Sequence, residues 1–185
     1  MKTEELETLL EGAEETDQLE FKGAMSWHLS LVKDMLALAN VRDGGRIVIG
    51  IEDGTLARQG LSDQQLATFV PDALRDRVAE FADPEVVFSV GAAEDRGGLK
   101  FVVIDVSPFT EIPVLCKRDG PDIQKGAIYF RTRSTKPQSA RVSNSNDMRA
   151  ILEQSIARRG ARLRAMGFEA AKPKTYDYDS ELGGL

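Results

Sequence analysis

Glu15 and Glu20 stand five positions apart, Lys22 follows the second of them, and Glu52–Asp53 closes an apolar run further along. These are the residues of the chain best suited to chemistry. Hydrolysis of a phosphodiester at neutral pH is helped by a divalent metal that polarises the phosphoryl oxygen and activates water. Hard cations such as Mg²⁺ and Mn²⁺ take carboxylate oxygens, held rigidly at strand ends. Glu15, Glu20 and Asp53 are suitable ligands if the two segments that carry them lie side by side. Lys22 can then orient the attacking water or offset charge at phosphorus. The triplet Glu20-Phe21-Lys22 has the Glu-x-Lys form used by a large class of metal-dependent nucleases, although such triplets also arise by chance. The bland alternative is a set of solvated carboxylates, with a Glu–Lys pair on a strand contributing at most about 1 kcal/mol. Composition leaves both readings open.

Other chemistry falls away quickly. His28 is the single histidine and Cys116 the single cysteine, so neither a Cys/His zinc site nor an internal disulfide can form within the chain. His28, beside Trp27 at a helix start, reads as structural or surface, and Cys116 as a buried strand residue. The segment GGRIVIG lacks the lysine and the serine or threonine of a phosphate-binding loop, and it precedes a strand rather than a helix.

The elements that position these residues follow from periodicity. Residues 3–12 read as a short helix with Leu6, Leu9 and Leu10 at helical spacing. In QLEFK, apolar Leu19 and Phe21 alternate with Gln18, Glu20 and Lys22, so Glu20 and Lys22 share the polar face of a half-buried strand. Residues 27–40 predict a broadly buried helix stopped by Asn40 and Gly44–Gly45, and RIVIGIED a strand buried on both faces. Gly50 within that strand suggests close approach by another backbone or a ligand. A helical stretch over 61–81 is interrupted near Pro71. Strands are expected at 85–91, 99–107, near 112–117 and at 126–133, then an arginine-rich helix opened by Asn144 or Ser145. The order gives an α+β fold, a mixed β-sheet flanked by helices. The expected organisation is a domain over 1–143, the arginine-rich helix over 144–168 packed on or extending it, and a loose acidic tail over 169–185.

With 185 residues, 42% hydrophobic and 29% charged, the chain suits one globular domain. No run reaches the length of a membrane span and the N-terminus is acidic, which points to a cytoplasmic setting and no membrane partner. The net charge of −6 hides a division. Residues 1–116 hold 10 basic against 22 acidic side chains, whereas residues 117–165 hold 12 against 4. A basic block in an acidic chain is an electrostatic footprint for nucleic acid unless folding interleaves the two.

Taken together, ETDQLEFK, ALANVRDGGRIVIGIEDG and GAIYFRTRSTKPQSA resemble the Schlafen AlbA-type domain family over roughly residues 14–141. In that family a Glu-Phe-Lys strand precedes a helix ending Ala-x-Ala-Asn. Gly-Gly and an Ile-Gly-x-x-Asp strand follow, and later a Gly-x-x-Tyr-x-Arg strand. The resemblance implies a single α+β lobe that acts on nucleic acid, RNA such as tRNA in preference to DNA. It implies a metal-dependent endoribonuclease, with Glu15, Glu20 and Asp53 as ligands of Mn²⁺ or Mg²⁺ and Lys22 assisting. Schlafen nucleases also carry a zinc site, which this chain cannot build, and pair two lobes. A homodimer would supply the second wall, and defence is the family's general association. Arg131, Arg133 and Lys136, with Arg158, Arg159 and Arg162 of the long helix, are the expected phosphate contacts. Tyr129 or Phe130 is a candidate for base stacking. Two other functions stand beside the nuclease. One is a non-catalytic DNA- or RNA-binding regulatory module, the other an assembly subunit that docks a protein through the C-terminal helix and tail.

Overall fold

The computed structural model describes residues 1–12, 14–132 and 137–168. Arg133, Lys136 and the tail over 169–185, all singled out above, lie outside the described residues.

Alternation of apolar side chains builds the centre of the fold. Strands β1 (Leu19–Lys22), β2 (Gly45–Ile49), β4 (Phe88–Glu94) and β5 (Lys100–Val106) form one sheet in the order β1-β2-β5-β4. β1 runs parallel to β2 and the other neighbours are antiparallel, so the sheet is mixed. Ile47, Ile49, Val102, Ile104 and Val106 point to one face, where helix α2 (Ser30–Ala39) supplies Leu31, Val32, Met35 and Leu36. Val48, Phe101, Val103 and Phe21 point to the other, where Leu6 of helix α1 (Thr3–Leu10) closes the layer. Burial on both faces is what the near-continuous apolar run of β2 demands.

Around this sandwich stand α3 (Asp63–Leu66), α4 (Pro71–Ala79), the pair β3 (Ala82–Asp83) with β6 (Leu115–Cys116), and the pair β7 (Tyr129–Arg131) with β8 (Ser139–Arg141). Helix α5 (Ser145–Ala165) is opened by Asn144, whose side chain accepts the N–H of Asp147. The expected interruption near Pro71 separates α3 from α4, and Pro71 itself begins α4, because the first helical position needs no N–H. β4 lies three residues later than its expected place. β2 stops at Ile49, and Gly50 and Ile51 both donate to the carbonyl of Lys22. At Gly50, with φ +114°, a Cβ would stand 2.8 Å from Phe101 and 2.9 Å from Leu61. The close approach is made by core side chains, which corrects the expectation of a backbone or ligand there.

Asn40 is the hinge pin between the sheet layer and the small pairs. It is 0% exposed. Its Nδ2 donates to the carbonyls of Leu36, Val114 and Tyr129 at 3.2, 2.9 and 2.9 Å, and its Oδ1 accepts the N–H of Val114 at 2.8 Å. The asparagine of Ala-x-Ala-Asn is therefore a structural bolt, and it carries β7 to the end of α2. No helix among the described residues is long and apolar enough to cross a membrane.

Candidate functional site

β1, the turn after β2, the start of α2 and the β7–β8 pair meet at a polar cleft of about 210 Å³. Glu15, Glu20, Lys22, Lys33, Asp34, Asp53, Pro137, Gln138 and Ser139 line it. The parallel pairing of β1 with β2 is the cause: Lys22 stands beside Ile49, so the chain leaving β2 turns past the end of β1 with Asp53 in an exposed turn. Glu20 and Lys22 share the α2 side of β1 by alternation, while Leu19 and Phe21 face α1. Glu15, just before the strand, accepts the N–H of Phe21 at 3.2 Å. All four residues expected to do chemistry thus border one cavity.

Two further charges come from α2. Asp34 is 4% exposed and lies 3.2 Å from Lys22 Nζ, which also bonds Glu20. The ammonium is shared between two buried acids. Burial works against its charge, but the Asp34 and Glu20 carboxylates outweigh that and raise the Lys22 pKa. Glu20 is pushed above the ordinary carboxylate range by burial and then by Asp34, against the pull of Arg131 and Lys22. Asp34 was legible in one respect: it is an acid set in the apolar run LVKDMLALA.

Arg131 corrects a sequence expectation. It is 0% exposed, so it presents nothing to a phosphate. Its guanidinium pairs with Glu20 and donates to the Thr16 carbonyl at 2.9 Å and the Leu19 carbonyl at 3.3 Å. The arginine of Gly-x-x-Tyr-x-Arg therefore braces the cleft from behind. Tyr129 and Phe130 are both buried, and neither is placed to stack a base. Tyr129 faces inward and donates no contact to the cleft; its hydroxyl instead accepts the N–H of Gln124 at 2.8 Å.

The α5 arginines are largely engaged with the protein. Arg158 donates to the Arg42 carbonyl and lies 4.5 Å over the Phe109 ring. Arg159, at 3.3 Å, and Arg162 both pair with Glu111. Arg159 and Arg162 keep about two-thirds of their side chains exposed. With Arg118 on Glu80 at 2.6 Å as well, the basic block is interleaved with acids from the first part of the chain.

The donor types suit a hard divalent cation, since all are carboxylate oxygens. In this conformation the protein's own cations occupy part of the set. Both oxygens of Glu20 are engaged, one by Lys22 and one by Arg131. Among the described residues no three acidic, histidine or cysteine side chains are grouped so as to hold an ion. Glu20, Lys22, Asp34 and Arg131 form one connected set of ion pairs at the cleft.

A mixed sheet in this order, with a carboxylate–lysine cleft at the edge of its parallel pair, defines an α+β domain of one lobe. The Schlafen, AlbA_2 family model matches residues 15–140, and the chain belongs to that family. Membership associates it with nucleic acid. The structure is similar to that of the DIP2311 protein from Corynebacterium diphtheriae, with a TM-score of 0.55 and 18% identity. That match covers 81% of this chain but only 28% of DIP2311, so the chain spans little more than a quarter of that protein. It is also similar to the N-terminal domain of a RecG-related protein from Nitrosomonas europaea, with a TM-score of 0.49 and 19% identity over 77% of this chain and 95% of that one. The likeness to DIP2311 bears on the fold alone. No curated protein matches the chain.

Proposed function

We propose that the domain engages nucleic acid at this cleft and that the cleft is the cutting site of an endoribonuclease acting on structured RNA such as tRNA. The observation that supports it is the convergence of Glu15, Glu20 and Lys22 from one segment and Asp53 from another on one cavity. Four such side chains brought together by folding make a site in a way that scattered surface charge does not. Lys22 offers the phosphate a cation at the cleft, and Lys33 a second. Asp34 lets Lys22 leave Glu20 without losing a counter-ion, since it already stands 3.2 Å away. Mn²⁺ or Mg²⁺ is the cofactor this reading requires, and it requires Glu20 to be released from its present partner. Recognition would rest on backbone and shape, because among the described residues no aromatic side chain lines the cleft.

The connected Lys22–Glu20–Arg131 network favours a second reading, a non-catalytic module that binds nucleic acid without cutting it. Purified protein incubated with bulk tRNA and with single- and double-stranded DNA, in Mn²⁺, Mg²⁺ or EDTA, separates the two. Metal-dependent cutting supports the nuclease; binding that survives EDTA with no cutting supports the module.

A further inference from the structure

The central sheet has two edges, and they differ. At β1 the edge is occupied, because Arg131 reaches the carbonyls of Thr16 and Leu19 beside it. At β4 it is bare: among the described residues no hydrogen bond reaches the strand except from β5. Edge strands are ordinarily blunted by a charge, a proline, a bulge or short length. β4 has seven residues, FSVGAAE, with no proline and no charge from Phe88 to Ala93. Its ladder with β5 runs one to one from Phe88 opposite Val106 to Glu94 opposite Lys100, without a bulge. In an antiparallel ladder alternate residues turn their N–H and C=O outward, so this edge presents a regular row of unmet donors and acceptors.

We propose that β4 pairs antiparallel with β4 of a second copy of this chain about a two-fold axis, joining two four-stranded sheets into one of eight strands. Antiparallel pairing of a strand with itself is what two-fold symmetry permits. With Gly91 on the axis, Val90 meets the partner's Ala92, Ser89 the partner's Ala93 and Phe88 the partner's Glu94. The centre is small and neutral, and nothing stands within ordinary contact of a Cβ at Gly91 except Met1 N at 4.0 Å. Charge complementarity selects this occupant. Directly opposed residues lie on the same sheet face. Phe88 lies on the face that also holds Leu74 and Val78 of α4, so the partner's Glu94 falls beside the groove formed by Arg75, Ala79, Glu85 and Phe88. Arg75 is 58% exposed and its own partner Asp72 is 90% exposed, which leaves the guanidinium free to turn to an incoming acid. The two Glu94 side chains are meanwhile about 20 Å apart, too far to oppose each other strongly. Val87, 64% exposed, lines the same groove.

Both clefts remain open in this dimer, since β1 lies at the far edge of each sheet. They stand seven strand spacings apart, about 33 Å. The partner thus supplies a second cleft on one continuous sheet and not the opposing wall of a single groove.

Sedimentation of the full chain tests this independently of any activity. The wild type is expected at twice 20.3 kDa, and Ser89→Lys/Ala92→Lys, both at exposed positions, at 20.3 kDa with an unchanged circular dichroism spectrum. Arg75→Glu should weaken the dimer severalfold, and Glu94→Arg added to it should restore it. Should the lysine variant misfold, Gly91→Cys gives a second readout, a disulfide-linked dimer on mild oxidation, with buried Cys116 inert. A wild-type monomer throughout the concentration range overturns the proposal. So does a dimer that survives the β4 changes but is broken by Ile156→Arg on the exposed face of α5, or a Gly91→Cys chain that does not cross-link.

Discussion

Arg131 and Glu20, 111 residues apart in sequence, form an ion pair behind the candidate cleft. The arginine has no exposed side-chain surface and the glutamate 9%. Two family motifs, Glu-Phe-Lys and Gly-x-x-Tyr-x-Arg, are thereby one structural unit. The pair also changes which substitution is informative, because a variant at Glu20 leaves a buried guanidinium without its counter-charge.

Breaking that pair should destabilise the fold. Arg131→Ala is expected to cost about 3–5 kcal/mol, the range for removing one partner of a buried ion pair. Glu20→Ala should fall in the same direction, measured by urea denaturation with both variants beside the wild type. Loss of RNA affinity with undiminished stability in Arg131→Ala would restore the arginine to the surface role that its burial denies it.

Asn40 offers a second stability test. Asn40→Ala leaves the Val114 N–H and the Val114 and Tyr129 carbonyls without their partner inside the protein, at a cost of about 2–3 kcal/mol. The loss should appear as a lowered denaturation midpoint. An Asn40→Ala midpoint equal to wild type would show that water replaces the amide there.

Glu7 on α1 gives a pH prediction. It accepts from Arg58 at 2.9 and 3.2 Å and from the Arg96 N–H at 2.8 Å. The Arg58 hydrogen bond, then that of the Arg96 N–H, holds its carboxyl below the ordinary carboxylate range, against burial. A depressed folded-state pKa contributes stability above the ordinary carboxylate pKa, and that contribution is lost as pH falls through the depressed value. Glu7→Gln should therefore be less stable than wild type at neutral pH, with the difference closing in acid. A pH-independent difference would mean that Glu7 acts through packing alone.

Cys116 is 0% exposed, its thiol is within 3.1 Å of the Arg118 carbonyl, and burial raises its pKa. The native protein should be unreactive toward iodoacetamide at neutral pH and react fully in denaturant. Rapid labelling of the folded chain would place the β3–β6 pair in an open state.

What the sequence made legible was what periodicity and spacing encode. The period-2 pattern of QLEFK put Glu20 and Lys22 on one face, and the apolar continuity of RIVI announced burial on both. Glu15, Glu20 and Asp53 were traceable because each sits within a few residues of a regular element. Periodicity says nothing about which distant charge a side chain will meet. Arg131 reads in sequence like any arginine in a basic block, and only the docking of β7 against α2 by Asn40 turns it inward to Glu20. Asp34 shows in sequence as an acid within an apolar run, but that it meets Lys22 depends on how α2 packs beside β1. The arginines of α5 were expected to meet phosphate unless folding interleaved them with acids, and the loop around Glu111 does fold back to meet Arg159 and Arg162.

The most direct test of the central claim is tRNA cleavage by wild type and Asp53→Asn, assayed together in Mn²⁺, Mg²⁺ and EDTA. Asp53 lies in an exposed turn at the cleft and pairs with none of the buried arginines, so its substitution spares the fold. The account predicts cutting by the wild type that needs the metal, and its loss in a variant of unchanged stability. Equal cutting by both proteins, cutting that persists in EDTA, or a wild type that binds tRNA and leaves it intact would contradict it.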